Sequence, residues 1–205
     1  MSETTKRSRR AEYAEVTRQA ILIAARKLFS ERGFFATKVD DIATEARVSP
    51  ATVYAVTGGK QGLLQELMSI WTTDPIVEAT IGNVAASSDP IDIITQVAST
   101  SRQMREDFAD VMRVLLATAP HDQGVAEQLE RATAVYRAAF VPIAERLAIL
   151  GALRPGADVA CAVDVLWFYF GYSSYFTLHD DNGWSYERAG QWLAEQACRS
   201  LLVDG

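Results

Sequence analysis

The sequence predicts an all-α protein. Apolar residues recur at three- and four-residue steps from end to end, alternating β-branched runs bounded by turns are missing, and Gly, Pro and capping residues punctuate the chain at helix-sized intervals. A chain of 205 residues, 49% apolar and 22% charged, has the make-up of a soluble globular protein and excludes collagen-like or disordered classes. Its length suits one domain of roughly 130 residues with a smaller companion.

The first helix is expected over Tyr13–Arg32, with Val16, Ala20, Ile23, Ala24 and Leu28 turned inward and Gly33 ending it. Thr37-x-x-Asp40 resembles a capping box opening a second helix over Lys38–Ala46. Ser49 followed by Pro50 starts a third helix, since the serine can accept from free amides and proline at the first position forfeits no bond. That helix ends near Val56, before Thr57, Gly58 and Gly59. Lys60 opens a longer one carrying Leu63, Leu64, Leu67, Met68 and Trp71, which Pro75 kinks or closes.

Asp89-Pro90 marks the next start, with Ile91, Ile94, Ala98, Ser101, Arg105 and Phe108 along a partly apolar face. A further helix is expected over Phe108–Ala119. A long one then runs from about Val125 to Leu150, bent at Pro142. After the break at Leu153-Arg154-Pro155-Gly156 comes Val159–His179, apolar all round and therefore in need of cover on every side. A second subunit is expected to supply it, beside a final Ser185–Val203 helix.

Charge is unevenly spread. Residues 1–70 hold 11 Lys and Arg against 8 Asp and Glu, while the remainder holds 9 against 18, and no lysine follows Lys60. The overall charge of −6 thus hides a basic end, and nucleic-acid binding depends on the local field. Lys6, Arg7, Arg9 and Arg10 form a loose basic arm over residues 1–13, with no apolar stretch of signal-peptide type behind it. Asp164, Ser173 and Ser174 interrupt the most apolar segment, Val159–Phe176, which argues against a membrane span. Cys161 and Cys198 lie in helical stretches without disulfide or metal spacing, as suits a reducing cytoplasm.

Short helix, tight turn and short helix over residues 38–56 have helix-turn-helix spacing, with Ala43 small at the crossing and Ile42, Val48 and Val53 as internal core. Here the chain resembles the TetR family of bacterial transcriptional regulators. The resemblance rests on Ala25-Arg26-Lys27-Leu28-Phe29, Gly33-Phe34, Thr37, Val39-Asp40-Asp41-Ile42-Ala43, Val48-Ser49, Thr52-Val53-Tyr54 and Gly59-Lys60 with Leu63-Leu64. It covers residues 14–70 most strongly. Two positions depart from the family pattern: Arg47 replaces a frequent turn glycine, and Thr57 an aromatic residue.

The resemblance implies a helix-turn-helix DNA-binding domain over residues 14–74 and an effector-binding and dimerisation domain over 75–205. It implies a homodimer formed through the two C-terminal helices, acting as a repressor on a near-palindromic double-stranded DNA operator and released by a small, largely apolar effector. A constitutive DNA binder, or an acidic helical enzyme or binding protein, is the alternative. Pro50, Ala51, Val53 and Ala55 cannot make bidentate base contacts, so base reading falls to Ser49, Thr52 and an apolar contact by Ala51, helped by Arg47 and Lys38. Thr37, Tyr54 and Lys60 are expected on phosphates, as their family counterparts are.

An effector cavity among the middle helices is implied too, with Trp71, Met104, Phe108, Met112, Tyr136, Phe140, Tyr169 and Tyr172 as candidate lining or, equally, as core. An inward-facing Asp107 or Asp110 would favour a lipophilic cation. No cofactor or metal is called for. Gly58-Gly59-Lys60 lacks the remaining residues of a Walker loop, and His121 and His179 are far apart in sequence and outside any ligand or nucleophile motif, so catalytic residues are not expected.

Overall fold

The structure, a computed structural model, describes residues 2–203, with the backbone alone over residues 2–10. Eleven α-helices make up the described chain: α1 Ser2–Arg32, α2 Val39–Glu45, α3 Pro50–Thr57, α4 Lys60–Thr72, α5 Pro75–Ala86, α6 Pro90–Thr118, α7 Gln123–Ala139, α8 Val141–Ile149, α9 Val159–Phe170, α10 Tyr172–Phe176 and α11 Tyr186–Leu201. A 3-10 turn covers Ala119–His121 and a π-helical turn Thr177–Asp181. The only β pairing among the described residues is an isolated bridge between Leu153 and Leu202.

Two compact units divide the molecule. Residues 1–72 join with 110–130, and residues 73–109 with 131–205, so α6 contributes to both. The expected boundary at residue 74 lies close to the first break, but residues 110–130 group with the head.

In the head unit, α1 packs with α2, α3 and α4, and α2 with α3. Ile21, Leu22, Ala24, Ala25, Leu28 and Phe29 are buried on α1, whereas Val16 and Ile23 are 67% and 68% exposed. The expected inward face is therefore corrected. Apolar residues occur on two sides of this helix, and the set holding Ile21, Leu22 and Phe29 is the bulkier. Helix α1 also begins at Ser2, not Tyr13, so the backbone of the expected loose arm is helical. The side chains of Lys6, Arg7, Arg9 and Arg10 lie outside the described residues.

Four ion pairs tie the head together: Arg18 with Glu66, Lys27 with Glu45, Arg32 with Asp41, and Arg26 with Asp110. The last is two-pronged, Nε donating to Oδ2 at 2.7 Å and Nη2 to Oδ1 at 2.8 Å. Partial burial works to raise the Asp110 pKa; hydrogen bonds from Arg26 and backbone amides outweigh it and hold the carboxyl below its ordinary value. Asp110 is thus engaged by Arg26 and Asp107 is exposed, so the condition that would have favoured a lipophilic cation is not met.

The second unit packs α9 against α8 and α11, and α8 against α5. Its core includes Ile93, Ile94, Phe140, Leu147, Leu166, Phe170, Tyr175, Leu193 and Leu201. Helix α5 was not expected, although Asp74 caps it from before Pro75 just as Asp89 precedes Pro90. The two helices expected to meet at Phe108 are one, α6. The long helix expected over Val125–Leu150 breaks at Phe140, because Pro142 cannot donate within the first turn of α8. The expected Val159–His179 helix stops at Phe170. There Gly171 is required: a Cβ on it would stand 2.5 Å from the Trp167 carbonyl oxygen. Cover of α9 is incomplete, since Phe168 is 70% exposed.

Candidate nucleic-acid interface

The turn between α2 and α3 is closed by two backbone bonds, Val48 N–H to the Ala43 carbonyl at 2.9 Å and Arg47 N–H to the Thr44 carbonyl at 3.1 Å. This pair of bonds is a Schellman ending, which places residue 47 in the left-handed region. Arg47 has φ +57°, the only non-glycine positive φ among the described residues. A side chain there costs about 1 kcal/mol relative to glycine. Arg47→Gly is therefore expected to raise the thermal midpoint by roughly 2–4 °C. A lower midpoint in a melting curve would show that contacts of the arginine side chain outweigh the backbone strain.

Helix α3 is built as expected at its start. Ser49 Oγ accepts from Thr52 N–H at 3.1 Å, and the two hydroxyls lie 2.8 Å apart. One internal bond between them leaves one O–H and several lone pairs for a partner. Val53 is fully buried, whereas Ser49, Pro50, Ala51 and Ala55 are exposed and Tyr54 is 58% exposed. Gly58, at φ +71°, ends the helix. The ring of Tyr54 lies over Gly59, where an added Cβ would meet it at 3.0 Å. A core role for Tyr54 is thereby excluded.

Thr37 is a correction. Its side chain is buried at 1% exposure, and its hydroxyl meets the Gly33 carbonyl at 2.8 Å and that of Leu28 at 3.1 Å. It joins the end of α1 to the start of α2 and does not face outward to a phosphate. The expected capping box also shifts by one residue: Asp41, not Asp40, accepts from Lys38 N–H at 3.3 Å. Lys60 is half-buried; its Nζ donates to the Phe34 carbonyl at 2.7 Å and sits 4.5 Å from that ring's centre. Burial lowers its pKa. Two of its three ammonium donors are left by the bond to Phe34. Lys38 and Arg47 are exposed and in no ion pair among the described residues, at either end of a helix that carries Asp40, Asp41 and Glu45.

The candidate effector residues fall in both units. Trp71 and Met112 are buried in the head unit, and Met104 and Phe108 are buried on the second unit's part of α6. Tyr136, Phe140 and Tyr172 come together, with ring centres 5.4 Å apart for Tyr136–Phe140 and 5.8 Å for Tyr136–Tyr172. Tyr169 is elsewhere, its hydroxyl 2.8 Å from Ser200 Oγ, because it occupies the α11-facing side of α9. Two members of the cluster were missed by sequence reasoning. Trp167 packs edge-on to Tyr136 and Tyr172 at 5.5 and 5.3 Å, and Arg105 lies behind those tyrosines with no exposed surface. The signal for Arg105 was present in its core register on α6.

No group of three or more metal-ligating side chains occurs among the described residues, and no described helix is long and apolar enough to cross a membrane. The sequence model for bacterial regulatory proteins of the tetR family matches residues 21–67, which span the helix-turn-helix and its flanking helices. Over residues 21–67 the chain is thus similar to the tetR family of bacterial regulatory proteins. It is 29% identical over 161 residues, 75% of each chain, to the uncharacterized HTH-type transcriptional regulator YdeS of Bacillus subtilis. Among solved structures it is similar to NalD, the secondary repressor of the MexAB-OprM multidrug efflux pump in Pseudomonas aeruginosa. That match has 25% identity, covers 95% of this chain and all of that one, and has a TM-score of 0.74. The SmeT–triclosan complex shares the fold, at 19% identity, coverage of 92% and 93%, and a TM-score of 0.72. The sequence relative named here is an HTH-type transcriptional regulator, and the matched family is one of bacterial regulatory proteins.

Proposed function

We propose that the protein is a homodimeric repressor that places α3 of each protomer in adjacent major grooves of a near-palindromic operator and leaves it when a small effector binds. The observation that carries this reading is the exposed surface of α3, with Ser49, Ala51, Thr52 and Tyr54 accessible around a buried Val53. Half-sites about 34–36 Å apart, or a multiple of that, suit two such helices on one face of B-DNA. The apolar surface left on α9 and α11, where Phe168 is 70% and Trp192 40% exposed, supports pairing through those helices. NalD is named a repressor and SmeT was solved with triclosan, which supports the repressor and effector parts. Residues 14–74 are assigned to DNA and 75–205 to effector binding and dimerisation, in a cytoplasmic protein.

Within the interface, Ser49, Pro50, Ala51 and Thr52 are assigned to bases, and Lys38, Arg47, Tyr54 and Lys60 to phosphates. Gel-shift titration against the gene's own upstream DNA at two salt concentrations tests the division. Lys60→Ala should weaken all duplexes alike and reduce the salt slope by about one. Thr52→Ala should alter preference among sequences. Uniform losses from both variants would refute the assignment, and absence of any retarded band would refute the operator reading. A typical coupling of about 1–3 kcal/mol makes effector and operator weaken each other 5- to 150-fold, and titrations without that reciprocity would refute release.

A further inference from the structure

We propose that Lys27 of α1 is a positioning residue for DNA binding: it ties back the carboxylate of Glu45 and so leaves Arg47 unpaired for a phosphate. This rests on the DNA-binding reading above. A helix beside the one assigned to the major groove is an odd place for acids, yet α2 holds Asp40, Asp41 and Glu45 within seven residues. Duplex DNA carries one negative charge per about 1.7 Å of its axis, so carboxylates on the neighbouring helix oppose binding unless they are answered.

Helix α1 answers two of the three. Lys27 Nζ donates to Glu45 Oε1 at 2.7 Å, and Arg32 Nη1 stands 3.7 Å from Asp41 Oδ2. Asp41 and Glu45 lie one turn apart on one face of α2, the helix that packs on α1. The hydrogen bond to Glu45, and after it the charge of that carboxylate, raise the Lys27 pKa above its ordinary value. The same bond and the charge of Lys27 lower that of Glu45, with a smaller share from Arg32.

Stability does not account for the pair. The two side chains are 50% and 40% exposed, and ion pairs so open to water contribute little to folding. What the pair controls is where a negative charge stands. Glu45 is the last residue of α2 and precedes Arg47, the left-handed residue of the turn, by two positions. Arg47 is exposed and takes part in no ion pair among the described residues. A glutamate released from Lys27 has that guanidinium as its nearest cation along the chain. Two-pronged pairing between them would occupy the donors that a phosphate needs.

The test is a fluorescence-anisotropy titration of the full-length protein on the gene's own upstream duplex, from about 0.05 to 0.2 M salt. Lys27→Gln is expected to weaken binding about five- to tenfold near the middle of that range and to reduce the salt slope by about one, as for one lost phosphate contact. Adding Glu45→Gln to it should restore both, because no carboxylate is left to claim Arg47, and Lys27→Arg should keep both. Arg47→Gln should lower the slope in the unaltered protein and cost nothing further beside Lys27→Gln. An unchanged affinity and slope with Lys27→Gln would overturn the inference. So would a loss that Glu45→Gln does not restore, the signature of a lysine that meets phosphate itself or props the fold. Failure of the unaltered protein to bind the duplex at any of these salt concentrations would overturn the DNA reading together with it.

Discussion

Gly62→Ala is expected to destabilise the head unit by about 3 kcal/mol or more and to abolish operator binding under conditions where the unaltered protein saturates. Alanine normally stabilises a helix interior by about 1 kcal/mol over glycine, so propensity predicts the opposite sign. Geometry decides. A Cβ on Gly62 would stand 1.7 Å from the Thr57 carbonyl oxygen and 2.9 Å from its carbon, both backbone atoms at the end of α3. Neither can rotate away, so α4 must move relative to α3. Overpacking that forces backbone shifts costs about 1–3 kcal/mol and occasionally more, and here the displaced element is the helix assigned to the major groove. The thermal midpoint should drop by roughly 6–12 °C, at 2–4 °C per kcal/mol for a chain of this length. An unchanged or higher midpoint would show that α3 and α4 part without penalty.

Thr37→Val should cost about 1–3 kcal/mol of stability and leave the affinity of the folded protein for DNA within about twofold. Valine keeps the branched shape, and the hydroxyl alone is lost. The Leu28 and Gly33 carbonyls then lose a buried donor, and an acceptor left without its partner bears the desolvation penalty of that group. Chemical denaturation and gel shift together check this. A tenfold affinity loss with an unchanged denaturation midpoint would return Thr37 to the phosphate contacts expected from the sequence.

These two residues show where sequence reading succeeds and where it stops. The turn and start of α3 were legible because Ser49-Pro50 and Gly58 act locally, through capping and a left-handed end, with little help from the rest of the fold. Thr37 was misread because one hydroxyl can cap, face a phosphate or bond inward, and only the return of the chain past Gly33 selects the third. The inward face of α1 was misread because Val16 and Ile23 are as apolar as the residues that won. The end of α9 was hidden by its composition: a run of Trp, Phe and Tyr looks continuous, and only the close approach at Gly171, which leaves no room for a Cβ beside the Trp167 carbonyl, marks the break. Arg105 stood in core register on α6, but periodicity cannot say which groups a fully buried guanidinium meets. Helix α5 is different, since its Asp74-Pro75 signal was as strong as the one read at Asp89-Pro90.

The grouping of residues 110–130 with the head bears on how this chain can be recombined. A DNA specificity of the kind proposed would not be portable as an N-terminal fragment alone. A splice at residue 74 would carry Arg26 into a chimera without Asp110, and with it lose the buried side chains of Val111, Met112, Leu115 and Val125. A graft that preserves the recipient's solubility must transplant two stretches of chain, the second beginning in mid-helix.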